Sequence, residues 1–262
     1  MAPFLAYEDK GAKLSTPLPL VLIHGHPFDH TMWKPQVTAF SPTRRVIAPD
    51  LRGYGASPVV DGVTPLSTFA EDIAALLDEL HVEHFVLGGL SMGGQIVMEC
   101  YAQFPDRIRG LILADTFASP ETPAGKKSRN EMADRLLVEG MRGYADEVLY
   151  KMVAPYADPT VAAHVHGMMT ATPPPGAAAA LRGRAERPDY RELLTRVRVP
   201  SLVVVGEDDE YTPVPDAKAM AEALPDATLQ VIPRAAHMPN LERPGEFNEA
   251  LARFLGQVDG SA

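Results

Sequence analysis

The stretch "VLGGLSMGGQIV", residues 86–97, sets Gly89, Ser91 and Gly93 in the spacing G-x-S-x-G. An apolar run ends at Leu90. A helical stripe of Ile96, Val97, Cys100, Tyr101 and Phe104 follows, starting near Gly93. A strand that passes at once into a helix needs a sharp turn, and its close neighbours must be glycine. Such a turn exposes the serine above the sheet and aims the free N–H groups of the helix N-terminus at it. The alternative is a structural serine in a tight turn. The flanking elements favour a nucleophile.

Around this stretch, "LPLVLIHG" (18–25), "RRVIAPDL" (44–51), "HFVLGGLS" (84–91), "RGLILADT" (109–116) and "SLVVVGED" (201–208) are nearly continuous in apolar residues. Strands buried on both faces read this way, and parallel sheets flanked by helices bury both faces. Between them Phe69, Ile73, Leu76, Leu77 and Leu80 recur at helical spacing, with Thr68 and Glu71 at capping-box positions. The alternation predicts an α/β fold with a mostly parallel central sheet flanked by helices. It breaks between about Phe117 and Val199, where "SRNEMADRLLVEG", "GYADEVLYKMV", "PTVAAHVHGMM" and the alanine-rich run after "TPPPG" (172–176) all read as helices. The expected organisation is a core at 1–117 and 197–262, with a helical lid at 118–196 inserted between two core strands. Such a lid lies over the carboxyl edge, where open α/β sheets hold ligands.

Composition narrows the function. Of 262 residues 46% are hydrophobic and 22% charged; 24 Lys and Arg against 34 Asp and Glu give a net charge of −10. An acidic chain argues against nucleic acid or anionic membrane as the main partner. One cysteine, Cys100, excludes an intrachain disulfide framework. No secretory signal or apolar run of membrane-spanning length is present, so a cytoplasmic location is expected. Zinc-hydrolase histidine motifs, cysteine pairs and G-x-G-x-x-G spacing are absent, so no metal or organic cofactor is expected.

A serine nucleophile needs a base, and the base needs an orienting acid. His164 and His166 stand two apart on a helix and diverge, which disfavours a metal pair. His237 sits in "VIPRAAHMPNLERP", a loop after the strand-like "TLQVI", and is the better base. Acid candidates are Glu207, Asp208 and Asp209 in "VVVGEDDEYTP", or Asp115 at the end of an earlier strand. "LIHGHPFDHTMW" follows the first strong strand. Its His26 backbone N–H, with that of Met92 after the nucleophile, suits an oxyanion hole. In "APDLRGYGAS", Asp50 and Arg52 read as structural.

"HGHPFDHTMW", "PDLRGYGAS", "GLSMGG", "GEDDEYTP" and "AHMPNLERP", in this order over nearly the whole chain, resemble the α/β-hydrolase superfamily. Within it the chain looks most like small cofactor-independent carboxylesterases, enol-lactonases and non-haem haloperoxidases. The superfamily's order of nucleophile, acid and histidine favours the downstream acid over Asp115. In such relatives the acid stands three residues after the strand-ending glycine and four before a proline, so Gly206 and Pro213 imply Asp209. The G/A-H-x-x-x-x-E-x-P context implies His237, completed by Glu242 and Pro244. The resemblance therefore implies a Ser91–Asp209–His237 triad that hydrolyses small esters. Lactone hydrolysis, perhydrolysis and non-catalytic ligand binding are the alternatives. The expected pocket is apolar, drawn from Phe28, Trp33, Met132, Leu136, Met141, Met152 and Met168, and the expected partner is a small-molecule ester or lactone.

Overall fold

The apolar runs all become strands of one sheet, in a computed structural model that describes residues 5–12 and 17–260. The strands are β1 (Tyr7–Lys10), β2 (Leu20–Ile23), β3 (Val46–Pro49), β4 (Phe85–Leu90), β5 (Ile108–Ala114), β6 (Ser201–Gly206) and β7 (Ala227–Ile232). Their order across the sheet is β1-β3-β2-β4-β5-β6-β7. All neighbours are parallel except β1, which pairs antiparallel with β3 through Tyr7 opposite Pro49.

Every residue of β2, β3, β4 and β6 is buried, which explains their unbroken apolar character. Alternate side chains serve opposite faces. Val21, Ile23, Leu87, Leu111 and Leu113 pack with α2 (Leu66–Glu79), α3 (Met92–Gln103) and α9 (Val214–Ala223). Leu20, Leu22, Val86, Ile112 and Ala114 pack with α1 (Lys34–Phe40) and α11 (Pro244–Gly260). The sheet order brings the ends of β4, β5, β6 and β7 side by side.

Thr68 does not cap α2. That helix begins at Leu66 after Pro65, whose ψ of 157° is extended and which offers no side-chain cap. The Thr68 N–H already donates to the Pro65 carbonyl at 3.1 Å, inside the first turn. Between β5 and β6 the chain forms α4 (Pro123–Glu139), α5 (Arg142–Met152), α6 (Pro159–Ala171), α7 (Pro174–Ala185) and α8 (Arg191–Leu194), with no strand among the described residues. Two of these ends are side-chain capped: Thr122 accepts from the Gly125 N–H and Asp158 from the Thr160 N–H. The proline cluster belongs to α7, with proline in its first turn, where the missing N–H costs nothing.

The turn after β3 is held by ion pairs and hydrogen bonds. Asp50 accepts from the His30 backbone at 2.8 Å, the His30 ring at 2.7 Å and the Ala56 N–H at 2.9 Å. Arg52 forms a bidentate pair with Asp72. His24 accepts from the Leu51 N–H at 2.9 Å, and burial keeps its imidazole below its ordinary pKa and neutral.

Candidate active site

Ser91 occupies the step from β4 into α3 with φ 58° and ψ −117°, a left-handed conformation few non-glycine residues adopt. Such strain persists only where the surroundings impose it. Here the Ser91 N–H donates to the Ala114 carbonyl at 2.9 Å, and the Thr116 hydroxyl donates to the Ser91 carbonyl at 2.8 Å. The backbone of α3 also presses against β2. A Cβ on Gly93 would lie 2.2 Å from the Ile23 carbonyl oxygen, and one on Gly89 2.4 Å from Gly93 itself. The turn therefore tolerates no side chain at either motif glycine.

His237 follows β7 and Asp209 follows β6. The ring Nδ1 of His237 lies 2.8 Å from Asp209 Oδ2, both residues being buried. Asp209 also accepts from the Tyr211 N–H at 2.8 Å, the Thr212 N–H at 3.2 Å and the Thr212 hydroxyl. Burial by itself would raise this carboxyl. The charge and hydrogen bond of His237, with the Thr212 donors, outweigh it and bring the pKa down to about 2. Glu242, at the end of the short helix α10 (Pro239–Glu242), braces the histidine loop from both sides. Its Oε1 accepts from the Ala236 N–H at 2.9 Å and the Met238 N–H at 3.3 Å, and its Oε2 reaches the Ala154 N–H at 2.8 Å.

The rival carboxylates lie elsewhere or serve differently. Asp208 turns to the surface and accepts from the Tyr156 hydroxyl. Asp115 is buried beside the pair, and its Oδ1 accepts from the Gly206 N–H at 2.8 Å. Burial, then the negative charge of Asp209, pushes its carboxyl well above the usual range. Two adjacent strand ends thus carry one carboxyl held low and one pushed high.

Ser91 and His237 line a cavity of about 510 Å³ with His26, Phe117, Gly125, Ser128, Arg129, Met132, Tyr144, Val148, Lys151, Met152, Leu181, Arg184, Tyr211 and Thr212. Met92 is the first residue of α3, so its N–H has no intrahelical acceptor. The His26 N–H makes no loop hydrogen bond among the described residues, whereas the neighbouring Phe28 N–H donates to the Gly25 carbonyl at 3.1 Å.

Of the expected pocket residues, only Met132 and Met152 line this cavity. Phe28, Trp33 and Met168 are turned into the sheet core, and Leu136 and Met141 pack between α4 and α7. Those five are corrected: Phe28 and Trp33, in the segment between β2 and α1, fill the core beside the sheet, and Leu136, Met141 and Met168 glue the inserted helices down, because the apolar face of an inserted helix must itself be buried. Thr212, Tyr144, Arg129 and Arg184 were not anticipated. Thr212, three residues after Asp209, could have been found as a local side-chain-to-backbone turn. The arginines carry no motif. His164 and His166 diverge as expected, toward Thr31 and Asp146 respectively.

Two clusters of metal-ligating side chains occur among the described residues, Asp29–His30–Asp50 and Asp115–Asp209–His237. In both, the ring nitrogen is engaged with a carboxylate at 2.7 or 2.8 Å. No helix among the described residues is long and apolar enough to cross a membrane.

The chain is similar over most of its length to known proteins. A thermophilic esterase from Thermogutta terrifontis, solved with malate bound, is 40% identical with a TM-score of 0.94, over 97% of this chain and 94% of that one. The enol-lactonase from Burkholderia xenovorans LB400 is 29% identical with a TM-score of 0.89, over 96% of each chain. The 3-oxoadipate enol-lactonase 1 of Acinetobacter baylyi is 30% identical over 236 residues, 88% of this chain and 85% of its own length. The alpha/beta hydrolase family profile matches residues 20–250, and the chain belongs to that family.

Proposed function

We propose that the protein is a serine hydrolase of small carboxylic esters and lactones, working through an acyl-enzyme on Ser91. The observation that carries this reading is the buried Asp209–His237 pair at 2.8 Å, opening on the same cavity as a strained Ser91. Asp209, ionised down to about pH 2, holds the proton on His237 Nδ1 and leaves Nε2 free to accept. His237 takes the Ser91 hydroxyl proton as the oxygen attacks the carbonyl carbon. The resulting oxyanion lies at the N–H groups of His26 and Met92, fixed donors that need no reorganisation. Collapse breaks the ester bond, and His237 returns the proton to the departing alkoxide. In a lactone the alcohol so released stays tethered to the acyl group. Water, deprotonated by His237, then frees the acid from Ser91.

In this reading residues 118–196 act as a lid over Ser91, with residues 1–117 and 197–262 as the core. Met132, Val148, Met152 and Leu181 supply the apolar wall for the acyl chain. The similarity to enol-lactonases from two organisms supports including lactones. Ser91→Ala tests the reading with p-nitrophenyl acetate and a lactone panel. The expected result is a kcat lower by about 10⁶, because removal of the nucleophile disables the whole triad. Normal hydrolysis by the variant would refute it.

A further inference from the structure

The cavity contains a charge that the protein does not balance. Arg184 is buried at 7% exposure, and its one hydrogen bond runs from Nε to Gln95 Oε1 at 3.1 Å. Among the described residues it forms no ion pair or hydrogen bond with a carboxylate. Its electrostatic neighbours are the cations Arg129 and Arg187 and the phenols Tyr54 and Tyr144. Glu121 is the carboxylate at hand, and it already serves two guanidiniums, Arg129 at its Oε2 and Arg187 at 3.0 Å on the same oxygen. Three buried or half-buried cations therefore share one anion, in a chain whose net charge is −10.

Arg184 is held at the cavity wall because its helix cannot shift away. Its helix, α7, lies against the 51–64 turn, with the Thr64 N–H donating to the Ala179 carbonyl at 3.0 Å. A Cβ on the adjacent Gly183 would fall 1.7 Å from the Thr64 carbonyl oxygen, so backbone meets backbone there. A guanidinium stays protonated at any physiological pH, and leaving one buried without an anion is costly. The same wall holds a second unsatisfied group. His26 Nε2 is buried and has no partner among the described residues, while its Nδ1 lies 2.7 Å from the Tyr54 hydroxyl. With Tyr54 donating to Nδ1, the neutral imidazole carries its proton on Nε2, as a donor without an acceptor.

We propose that Arg184, flanked by Arg129 and His26 Nε2–H, forms an anion subsite that binds a carboxylate carried by the substrate, so that the enzyme selects esters or lactones of carboxylate-bearing acids. The proposal rests on reading the cavity as the active site, and it names the substrate class for that site. A guanidinium and a carboxylate match in fork geometry, and pairing at the cavity wall supplies the counter-anion that Glu121 cannot.

Binding of glutarate, measured calorimetrically, tests the subsite without any turnover. Wild type should bind it, Arg184→Gln should bind at least about tenfold more weakly, and Arg184→Lys should fall between. Arg182→Gln, on the same helix but paired at the surface with Asp134, should bind as wild type. Absent binding in wild type, or equal binding by Arg184→Gln with its melting transition intact, would overturn the subsite. The kinetic counterpart compares mono-p-nitrophenyl glutarate with p-nitrophenyl pentanoate, acyl chains of equal length. Arg184→Gln should lower the ratio of their kcat/KM values by about 30- to 100-fold, and an unchanged ratio would count against the subsite. Arg184-dependent glutarate binding in a protein that hydrolyses neither ester would uphold the subsite while removing the serine-hydrolase reading.

Discussion

Two regions face the same cavity and are held in different ways. The strand-end loops that carry Ser91, Asp209 and His237 are fixed by backbone: glycines that admit no Cβ, N–H groups on Asp209, and Glu242 bridging the histidine loop. The inserted helices are fixed mainly by side-chain packing between α4 and α7 and by ion pairs such as Arg129–Glu121, with backbone contact at the two glycines of α7, Gly176 and Gly183. Backbone constraint permits only a few residue types at each position, so it leaves motifs. Packing accepts any apolar residue of about the right volume, so it leaves none. In the proposed function, chemistry is accordingly written in the first region and substrate preference in the second.

The comparison breaks if a residue of the backbone-held region can be changed freely. Asp209→Asn should keep the fold and lower kcat by roughly 10⁴, because the amide favours the wrong imidazole tautomer. Steady-state hydrolysis of p-nitrophenyl acetate measures it. The neighbouring carboxyls should behave otherwise. Asp208→Asn and Asp115→Asn should each cost less than about tenfold, since one faces the surface and the other accepts from Gly206 rather than from His237. A crippled Asp115→Asn beside a tolerated Asp209→Asn would move the acid to the end of β5.

Asp115 also sharpens the comparison through pH. Its carboxyl titrates higher in the folded chain than in the unfolded one, chiefly through burial. Above about pH 4, where a free aspartate ionises, and up to the raised folded value, the folded chain holds a proton that the unfolded chain has released. Stability contributed by this group therefore falls as pH rises across that window. Asp115→Asn removes the fall, so its melting temperature should gain on wild type toward neutral pH. Parallel profiles for the two proteins would contradict this.

The smallest effect belongs to the inserted helices. Met132→Ala and Met152→Ala should shift the ratio of hexanoate to acetate hydrolysis by about threefold to tenfold, the half-buried Met132 costing the melting transition less than the buried Met152. An unchanged ratio in both would give these helices a purely structural role.

The same division governs what could be read from the chain. The five apolar strands β2–β6 and the strained serine turn were legible because each leaves an apolar or glycine-bound signature. Strand β1 was not, being four half-exposed residues, "YEDK", that pair at an edge and carry no apolar run. The start of α2 was misplaced because Pro65 opens the helix before the polar pair Thr68 and Glu71. Met168 and Leu136 look like Met132 in sequence; Leu136 even shares a face of α4 with Met132, one turn away, and only the position along the helix brings Met132 to the cavity. Arg184 hid inside an alanine-rich stretch. Its one signal was that the small residues of α7 pack the helix tightly, so that an arginine on its packed face is buried while Arg182, two residues earlier, reaches the surface. That Asp115 lies beside Asp209 follows from the adjacency of β5 and β6, a fact of topology with no local mark.

The central claim is that Ser91 is the nucleophile. A fluorophosphonate probe followed by peptide mass mapping tests it most directly, since the probe requires an activated serine and an oxyanion site together. The account predicts one adduct per chain, on the peptide that contains Ser91, and none on Ser91→Ala. An adduct on another residue, or an active enzyme that takes none, would contradict it.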